Sequence, residues 1–252
     1  MFNRYSISKS QRDSVILPRW LHEHRRDPAI KRFLGRQDDD DPFTEEEEDG
    51  LQIYEDCLYR HRVLRVNYTT YDMRREQDLI NPRTHPDVVV HSDALADDDD
   101  PFWYARVLDI FRAKVRYKGP GAMRVMSQWQ DVNFLWVRWF ERDTSYMAGF
   151  SHRRLPCLQF VDADDPDSNT FGFIDPYDVV RASYLMPAFA HGVTEDLLEP
   201  SKLARRDGSD DDWCYYYVCI WVDRDMYMRY LGGGVGHRST WDATQASRQH
   251  AE

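Results

Sequence analysis

The stretch "FWYARVLDIFRAKVRYKG", at residues 102–119, constrains the fold more than any other part of the sequence. Apolar or small side chains occupy alternate positions from Trp103 to Tyr117, with the exception of Asp109. A period of two is typical of a β-strand with one buried face and one exposed face. We therefore predict a strand here, with a β-bulge at Asp109 and an arginine partner for its carboxylate if that carboxylate is buried. A helix that groups Leu108, Phe111 and Val115 is the alternative, and it accounts for fewer residues.

Further apolar runs predict short strands at residues 88–90, 132–140, 158–163, 171–175 and 213–222. The runs at 132–140 and 213–222 are apolar at both alternating sets of positions, as in a strand that is buried on both faces. Residues 51–72 contain two β-type runs on either side of Glu55 and Asp56. This pattern predicts a β-hairpin that turns at these two acidic residues.

Helical signals are few. Asp27 and Gly35 suit the start and the end of a helix within residues 18–36, and Thr194 suits the cap of a helix that includes Leu198 and Leu203. Asp223 suits the cap of a last helical turn in "DRDMYMRYL". Strands and helices do not alternate as they do in a parallel α/β sheet. We predict a mainly β (α+β) fold, a small antiparallel barrel with short peripheral helices.

Charge and composition divide the chain into three predicted regions. These are a basic helical N-terminal arm with an acidic linker at residues 1–50, an elaborated β-barrel domain at 51–231, and a flexible C-terminal tail at 232–252. The hexapeptide "DDDDPF" occurs at 38–43 and again at 97–102, where repelling carboxylates favour solvated connectors. The tail begins with "GGGVGH", which lacks the flanking strand and helix of a phosphate-binding loop.

The formal net charge of −11 conceals an uneven distribution of charge. Acidic runs at residues 38–41, 45–49, 97–100, 162–167 and 207–212 hold about half of the 44 acidic residues. The 33 Lys and Arg residues outnumber the acidic residues that remain, so the chain reads as a basic body with acidic loops. Such a distribution bears on partners rather than on the fold.

Several classes of protein are not expected. No apolar run reaches the length of a transmembrane helix, and the polar N-terminus does not read as a secretory signal. The four cysteines are scattered, which favours free thiols in a reducing compartment. We therefore expect an intracellular protein, nuclear or cytoplasmic, with no membrane partner.

Catalytic and metal signatures are weak. The sequence has no "GxSxG" elbow and no cysteine in a nucleophile context, and His22 and His24 would point to different faces of a helix. We assign no catalytic residue, no metal ligand and no cofactor. We expect neither an enzymatic activity nor a small-molecule substrate. A metal-dependent nuclease remains an open alternative, which would need three carboxylates to converge. Its candidates are Asp109, Asp175, Asp178, Asp223 and Asp225.

Aromatic and basic residues interleave along several predicted strands, as they do in surfaces that bind peptides or nucleic acids. Tryptophans in small barrels also belong to the core, so each aromatic has two interpretations. The candidate ligand-binding residues are Trp103, Tyr104, Trp136, Trp139 and Tyr177. The candidate nucleic-acid-binding residues are Arg25, Arg26, Lys31, Arg32, Arg112, Lys114, Arg116 and Lys118.

Five blocks of the sequence, read together, resemble a known family. They are "RVNYTTYDMRREQDLINPRTHPDVVVHS", "DPFWYARVLDIFRAKV", "FLWVRWF", "FGFIDPYDVVRASYLMPAFAHG" and "YYYVCIWVDRDMYMRYLGGGVGH". They resemble the C-terminal region of Plavaka-type transposases of the CACTA superfamily from mushroom-forming fungi, and the resemblance spans roughly residues 15–237. The resemblance implies a β-rich module that is similar to a BAH-type or Tudor-like barrel. It supplies no catalytic residues, because the nuclease domain of those proteins lies upstream of this region.

These observations favour a non-enzymatic interaction module of transposon origin, which binds chromatin or another protein. The alternative is a DNA-binding module that uses the basic body and the N-terminal helix. DNA binding would make affinity fall linearly with the logarithm of salt concentration.

Overall fold

The computed structural model describes residues 3–6, 50–91, 102–119, 127–149, 152–164, 170–201, 203–205 and 211–231. These residues are mainly β, and their paired strands run antiparallel, which confirms the predicted fold class. The described strands are β1 Asn3–Ser6, β2 Leu51–His61, β3 Leu64–Thr69, β4 Arg75–Ile80, β5 Asp87–His91, β6 Phe102–Tyr117, β7 Gln130–Arg142, β8 Cys157–Phe160, β9 Phe171–Ile174, β10 Val179–Ala182, β11 Leu185–Pro187, β12 Val193–Thr194, β13 Asp212–Trp213 and β14 Tyr216–Val218.

Helical structure is short within the described residues. The helix α1 covers Arg224–Tyr230, and 3₁₀ turns cover Pro176–Asp178 and Phe189–His191. No helix in this part of the chain has the length and apolarity that a membrane span requires. The predicted helix at residues 18–36 and the predicted tail at 232–252 lie outside the described residues.

The chain divides into two compact units. The described residues of unit 1 are 3–6, 50–62, 109–119, 127–137 and 172–176. Those of unit 2 are 63–91, 102–108, 138–149, 152–164, 170–171, 177–201, 203–205 and 211–231. The long strands β6 and β7 therefore contribute residues to both units.

Unit 1 is built on the antiparallel pairing of β2 with β1 and with β6. Its core is apolar and aromatic, and its buried members are Leu51, Leu58, Ala113, Val115, Tyr117 and Phe134. The core residues of β6 alternate at 113, 115 and 117, as the sequence period predicted. Burying such a set of side chains is the main favourable contribution to the stability of a unit of this size.

The hairpin predicted at Glu55 and Asp56 is wrong. Both residues lie inside the single strand β2, with φ angles of 50° and 53°, and the register with β6 shifts between Ile53 and Leu58. Residues 54–57 of β2 stand opposite the single residue 114 of β6, so Glu55 and Asp56 lie within a bulge, after which the chain resumes its pairing with the same partner strand. The physical reason is the length of β6, which offers β2 a continuous row of hydrogen-bonding groups on both sides of the bulge.

The strand predicted at 102–119 is confirmed as β6, but the bulge expected at Asp109 lies in β2 instead. Asp109 is buried, with 6% of its surface exposed, and it accepts a hydrogen bond from Arg60 Nε. The predicted arginine partner is therefore confirmed. The buried carboxylate is tolerated in an apolar strand because the guanidinium of β2 neutralises it.

Unit 2 contains the β3–β4 hairpin, the pairing of β5 with β6 and β10, and the pairing of β14 with β8 and β11. Its core is largely aromatic, and its buried members include Phe102, Tyr104, Phe140, Leu158, Phe160, Tyr216 and Met226. Asp223 caps α1 as predicted, since its carboxylate accepts a hydrogen bond of 2.7 Å from the Met226 backbone N–H.

Two other predictions in unit 2 are wrong. Thr194 does not cap a helix, because it belongs to β12 and its hydroxyl accepts a local hydrogen bond of 3.1 Å from the Asp196 backbone N–H. Such side-chain turns compete with helix formation. The run 213–222 is not one strand, because its two ends have different partners: β13 pairs with β12, whereas β14 pairs with β8 and β11.

A buried arginine organises one side of unit 2. Arg181 is 1% exposed, and its guanidinium donates hydrogen bonds of 2.9–3.1 Å to the carboxylates of Asp78, Asp223 and Asp225. The ring of Tyr68 lies 3.9 Å below the guanidinium carbon. Three carboxylates from β4 and from the start of α1 are thus held together by one cation on β10.

We expect Arg181→Met to destabilise the protein by about 3–5 kcal/mol, because it leaves buried carboxylates without their counter-charge. Chemical denaturation followed by tyrosine and tryptophan fluorescence measures this loss. The matched control is Arg74→Met, since Arg74 pairs with Asp72 at the surface and exposed pairs contribute less than about 1 kcal/mol. Equal losses in the two variants would contradict the organising role of Arg181.

The same cluster predicts the response to acid. Burial opposes ionisation of Asp223, but hydrogen bonds from Arg181 and from the Met226 backbone N–H outweigh it and lower the pKa of the carboxyl. The unfolded chain therefore binds more protons than the folded one in this range, and the free energy of unfolding falls as the pH drops below about 4. Denaturation across a pH series measures the slope, and we expect Asp223→Asn to reduce it. An unchanged slope in this variant, which keeps a capping side chain, would contradict the assignment.

Candidate functional site

Unit 1 carries a row of cations that lie over aromatic rings. The guanidinium carbon of Arg112 lies 5.2 Å from the ring centroid of Tyr59, and Lys114 Nζ lies 5.5 Å from that of Tyr54. The guanidinium carbon of Arg116 lies 4.3 Å from the ring centroid of Trp129. We call this surface the basic aromatic face, and it consists of Arg112, Lys114, Arg116, Tyr54, Tyr59 and Trp129.

The row follows from the period of β6. Ala113, Val115 and Tyr117 are buried in the core of unit 1, so the side chains between them must lie on the opposite face of the strand. These side chains are Arg112, Lys114 and Arg116, and all three are partly exposed. The sequence thus fixes a spacing of two residues between successive positive charges.

Neighbouring polar groups orient the cations without covering them. Arg116 Nε donates a hydrogen bond of 2.8 Å to Gln52 Oε1, and Arg112 lies 3.8 Å from a carboxylate oxygen of Asp131, which is exposed. Burial and the nearby Arg112 guanidinium both lower the pKa of His61. The imidazole is therefore neutral at pH 7 and adds no positive charge to the row.

A cavity of about 440 Å³ opens beside the bulge of β2. Residues 51–56 line it together with Arg116 and Trp129. Its size lies within the range of pockets that bind small molecules or parts of larger ligands. The bulge creates the wall of this cavity, because the extra residues of β2 have no partner position on β6 and project from the ladder.

The chemistry of the cavity is mixed. Tyr54 and Trp129 form an aromatic corner, with ring centroids 5.1 Å apart and an angle of 86° between the rings. Glu55 and Asp56 are the acidic residues of the lining, and the guanidinium of Arg116 is stacked on Trp129. The cavity can therefore stack a planar group and also present acceptors and donors to its edge.

The structure places the predicted ligand-binding aromatics at different locations. In unit 2, Trp103 is 43% exposed and contacts Trp139, with ring centroids 6.3 Å apart. Tyr104 is buried, and its hydroxyl lies 2.6 Å from that of Tyr230. Tyr177 is exposed in a 3₁₀ turn, and Trp136 is partly buried on β7 in unit 1. Among the five predicted ligand-binding aromatics, Trp103 and Trp139 thus contact each other.

The predicted nucleic-acid-binding residues fall into two groups. Arg112, Lys114 and Arg116 form the basic aromatic face, and Lys118 is exposed just beyond the end of β6. The members of the N-terminal group lie outside the described residues: Arg25, Arg26, Lys31 and Arg32.

Three of the five carboxylates considered for a nuclease site pair with arginines in the described part of the chain. Asp223 and Asp225 bind Arg181, and Asp109 binds Arg60. Among the described residues, no group of three or more His, Cys, Asp or Glu side chains is placed to hold a metal ion. The four cysteines are free thiols, as predicted, and Cys57 and Cys157 are buried.

The sequence interpretation missed the aromatic half of the basic aromatic face and the cavity beside it. Tyr54 and Tyr59 lie on either side of the supposed hairpin turn, so the sequence interpretation placed them on two strands instead of on one strand beside β6. The length of β6 is no usable signal, because β5 pairs with its residues 102–106 and β2 pairs with its residues 110–117. Trp129 precedes β7 and carries no local signal of its position.

No family model, curated protein or solved structure matches the chain. The resemblance to transposases therefore stays a prediction from the quoted sequence blocks.

Proposed function

We propose that the chain is a non-enzymatic binding module and that its basic aromatic face binds single-stranded nucleic acid. The observation that carries the proposal is a row of three cation–ring pairs. The cations lie on β6, and the rings lie on β2 and at Trp129, the residue before β7. Proteins that bind single strands combine positive charges, which track the phosphates, with rings on which bases stack. Both elements occur here on one partly exposed sheet face.

The exposure of the cations favours binding over a purely structural role. Arg112 and its acidic neighbour Asp131 have 34% and 54% of their side-chain surface exposed, so solvent screens the pair. The partly exposed guanidinium of Arg112 can therefore still contact a polyanion. The nearby rings are only partly buried, and cation–π contacts hold them in fixed orientations beside the charges.

A single strand fits this surface better than a duplex does. The rings lie among the cations on a sheet face, so a base must be unstacked from its neighbours to contact them. In a duplex, the bases are paired and stacked, and only the phosphates could reach the row. We therefore expect duplex DNA to bind more weakly than a single strand of the same length.

Fluorescence anisotropy with a labelled single-stranded oligonucleotide tests the proposal. We expect the logarithm of the affinity to fall linearly with the logarithm of salt concentration, and Lys114→Gln with Arg116→Gln to weaken binding and reduce the salt slope by about 1–2. Trp129→Ala is expected to weaken binding by about tenfold, because one stacking ring is lost.

The matched control is Arg83→Gln together with Arg65→Gln, two surface substitutions in unit 2 that change the net charge equally. We expect these to leave the affinity within about twofold once long-range charge is screened. The proposal would be contradicted if the protein did not bind the oligonucleotide at low salt. It would also be contradicted if the control pair weakened binding as much as Lys114→Gln with Arg116→Gln.

A second candidate function is peptide binding, and the Trp103–Trp139 pair in unit 2 favours it. Two tryptophans at 81° to one another present a partly exposed aromatic corner, and tryptophan is the strongest cation–π partner for an alkylated lysine. This candidate is the chromatin- or protein-binding role favoured by the sequence.

Calorimetric titration with trimethyl-lysine and unmodified peptides from histone tails tests this second candidate. We expect the wild-type protein to bind the trimethyl-lysine peptide. We expect Trp103→Ala to abolish this binding. The control Trp221→Ala, at another exposed tryptophan of unit 2, leaves it unchanged. Equal affinity for both peptides would rule out a cation–π site at this pair.

The origin of the module is part of the same proposal. Descent from the C-terminal region of a fungal CACTA-type transposase, a BAH-like or Tudor-like barrel and a nuclear or cytoplasmic location are supported by the sequence features quoted above. A binding module is what that resemblance implies, since the nuclease domain of such proteins lies elsewhere.

A further inference from the structure

We propose that the cavity beside the β2 bulge receives one unstacked base of the bound strand and selects a base that carries an exocyclic amine. The inference rests on the proposed function and gives it a specificity. It is drawn from the cavity, its aromatic corner and its two carboxylates, which all belong to unit 1.

The backbone of the bulge is strained at the residues that line the cavity. Glu55 and Asp56 are consecutive, are not glycine, and both adopt φ angles near +50°. This left-handed conformation costs roughly 1–2 kcal/mol for each such residue. Strain of this kind clusters at ligand sites, where it positions side chains for binding. Here it occurs at two acidic residues of a cavity whose lining also includes Tyr54, Trp129 and Arg116.

The aromatic corner supplies the stacking surface. The Arg116 guanidinium covers one face of Trp129 at 4.3 Å, and bases stack on guanidinium planes as well as on rings. Tyr54 stands at 86° to Trp129 and closes the corner with its own ring. A flat base can therefore lie in the cavity with one face against this layer and its edge toward the bulge.

The carboxylates determine which edge is accepted. An ionised carboxylate is only a hydrogen-bond acceptor, so it pairs with an amine and repels a carbonyl oxygen. The amine at position 4 of cytosine can donate a hydrogen bond to Glu55 or Asp56, since carboxylates accept from this amine in the recognition of cytosine. Uracil presents a carbonyl oxygen at the same position. Cytosine and uracil have the same ring size and thus isolate this difference.

The charges of the site also orient the strand. Lys114 and Arg112 continue the positive row along β6, whereas the bulge is acidic. Phosphates are attracted to the row and repelled by Glu55 and Asp56, so the sugar–phosphate backbone follows β6 while the base turns toward β2. The same two carboxylates thus serve selection and orientation.

Anisotropy titrations with matched single-stranded oligo-deoxycytidine and oligo-deoxyuridine test the inference. We expect the wild-type protein to bind the cytosine strand about tenfold more tightly. In Glu55→Gln with Asp56→Asn, the amides can donate to the uracil carbonyl, so the ratio of the two affinities is expected to fall to about one. Both substitutions conserve side-chain shape.

The control is Asp131→Asn, which removes an acidic charge from the same face at a position outside the cavity. We expect it to tighten binding of both strands equally and to preserve the ratio. Equal wild-type affinities for the two strands, or a ratio that survives the amide substitutions, would overturn the inference and leave the proposed function standing. Failure of both strands to bind would overturn both.

Discussion

The antiparallel pairing of β2 with β6 is the constraint on which unit 1 depends. It covers residues 110–117 of β6 and survives an interruption in β2, so Ala113, Val115 and Tyr117 stay in the core on both sides of the bulge. Because side chains alternate along a strand, a fixed core face also fixes the opposite face. The basic row and the β2 wall of the cavity both follow from this register.

Cations contact aromatic rings in both units, but the two settings differ in a way that separates architecture from binding. In unit 2, the guanidinium of Arg106 lies 5.0–5.4 Å from the ring centroids of Phe140, Phe160 and Tyr216 and is paired with Asp87 at 2.7 Å. Burial opposes the charge of Arg106, but Asp87 outweighs this effect and raises its pKa. The charge of Arg106 is therefore neutralised within the fold by the Asp87 carboxylate.

Among the described residues, the cations of the basic aromatic face in unit 1 have neighbours of a different kind. Arg116 has an amide neighbour, Gln52, and the acidic neighbour of Arg112 is 3.8 Å away and exposed. A guanidinium held by a buried carboxylate gains little from a further anion, whereas one held by a neutral amide still carries its full charge to the surface. This contrast is the physical reason for placing the candidate site in unit 1 rather than at the larger clusters of charge in unit 2.

Sequence periodicity predicted the features that depend on one strand alone. It failed for the features that are determined by pairing between strands. The strand at 102–117, its basic face, the arginine partner of Asp109 and the cap at Asp223 all follow from local pattern and simple charge accounting. The bulge at Glu55 does not, because acidic residues between β-type runs are as typical of a turn as of a bulge, and only the partner strand distinguishes them. Thr194 failed for the same reason, since its pairing with Asp212 involves a strand that is remote in sequence.

The bulge also explains how an acidic segment can belong to a surface that binds a polyanion. Two carboxylates in a regular strand at positions 55 and 56 would point to opposite faces, and one of them would enter the core. The left-handed conformation removes both residues from the alternation, and both line the cavity. A strand of nucleic acid then meets a positive edge along β6 and a negative one at the bulge. Such a division of charge favours one orientation of the ligand over the other, which a uniformly basic face cannot do.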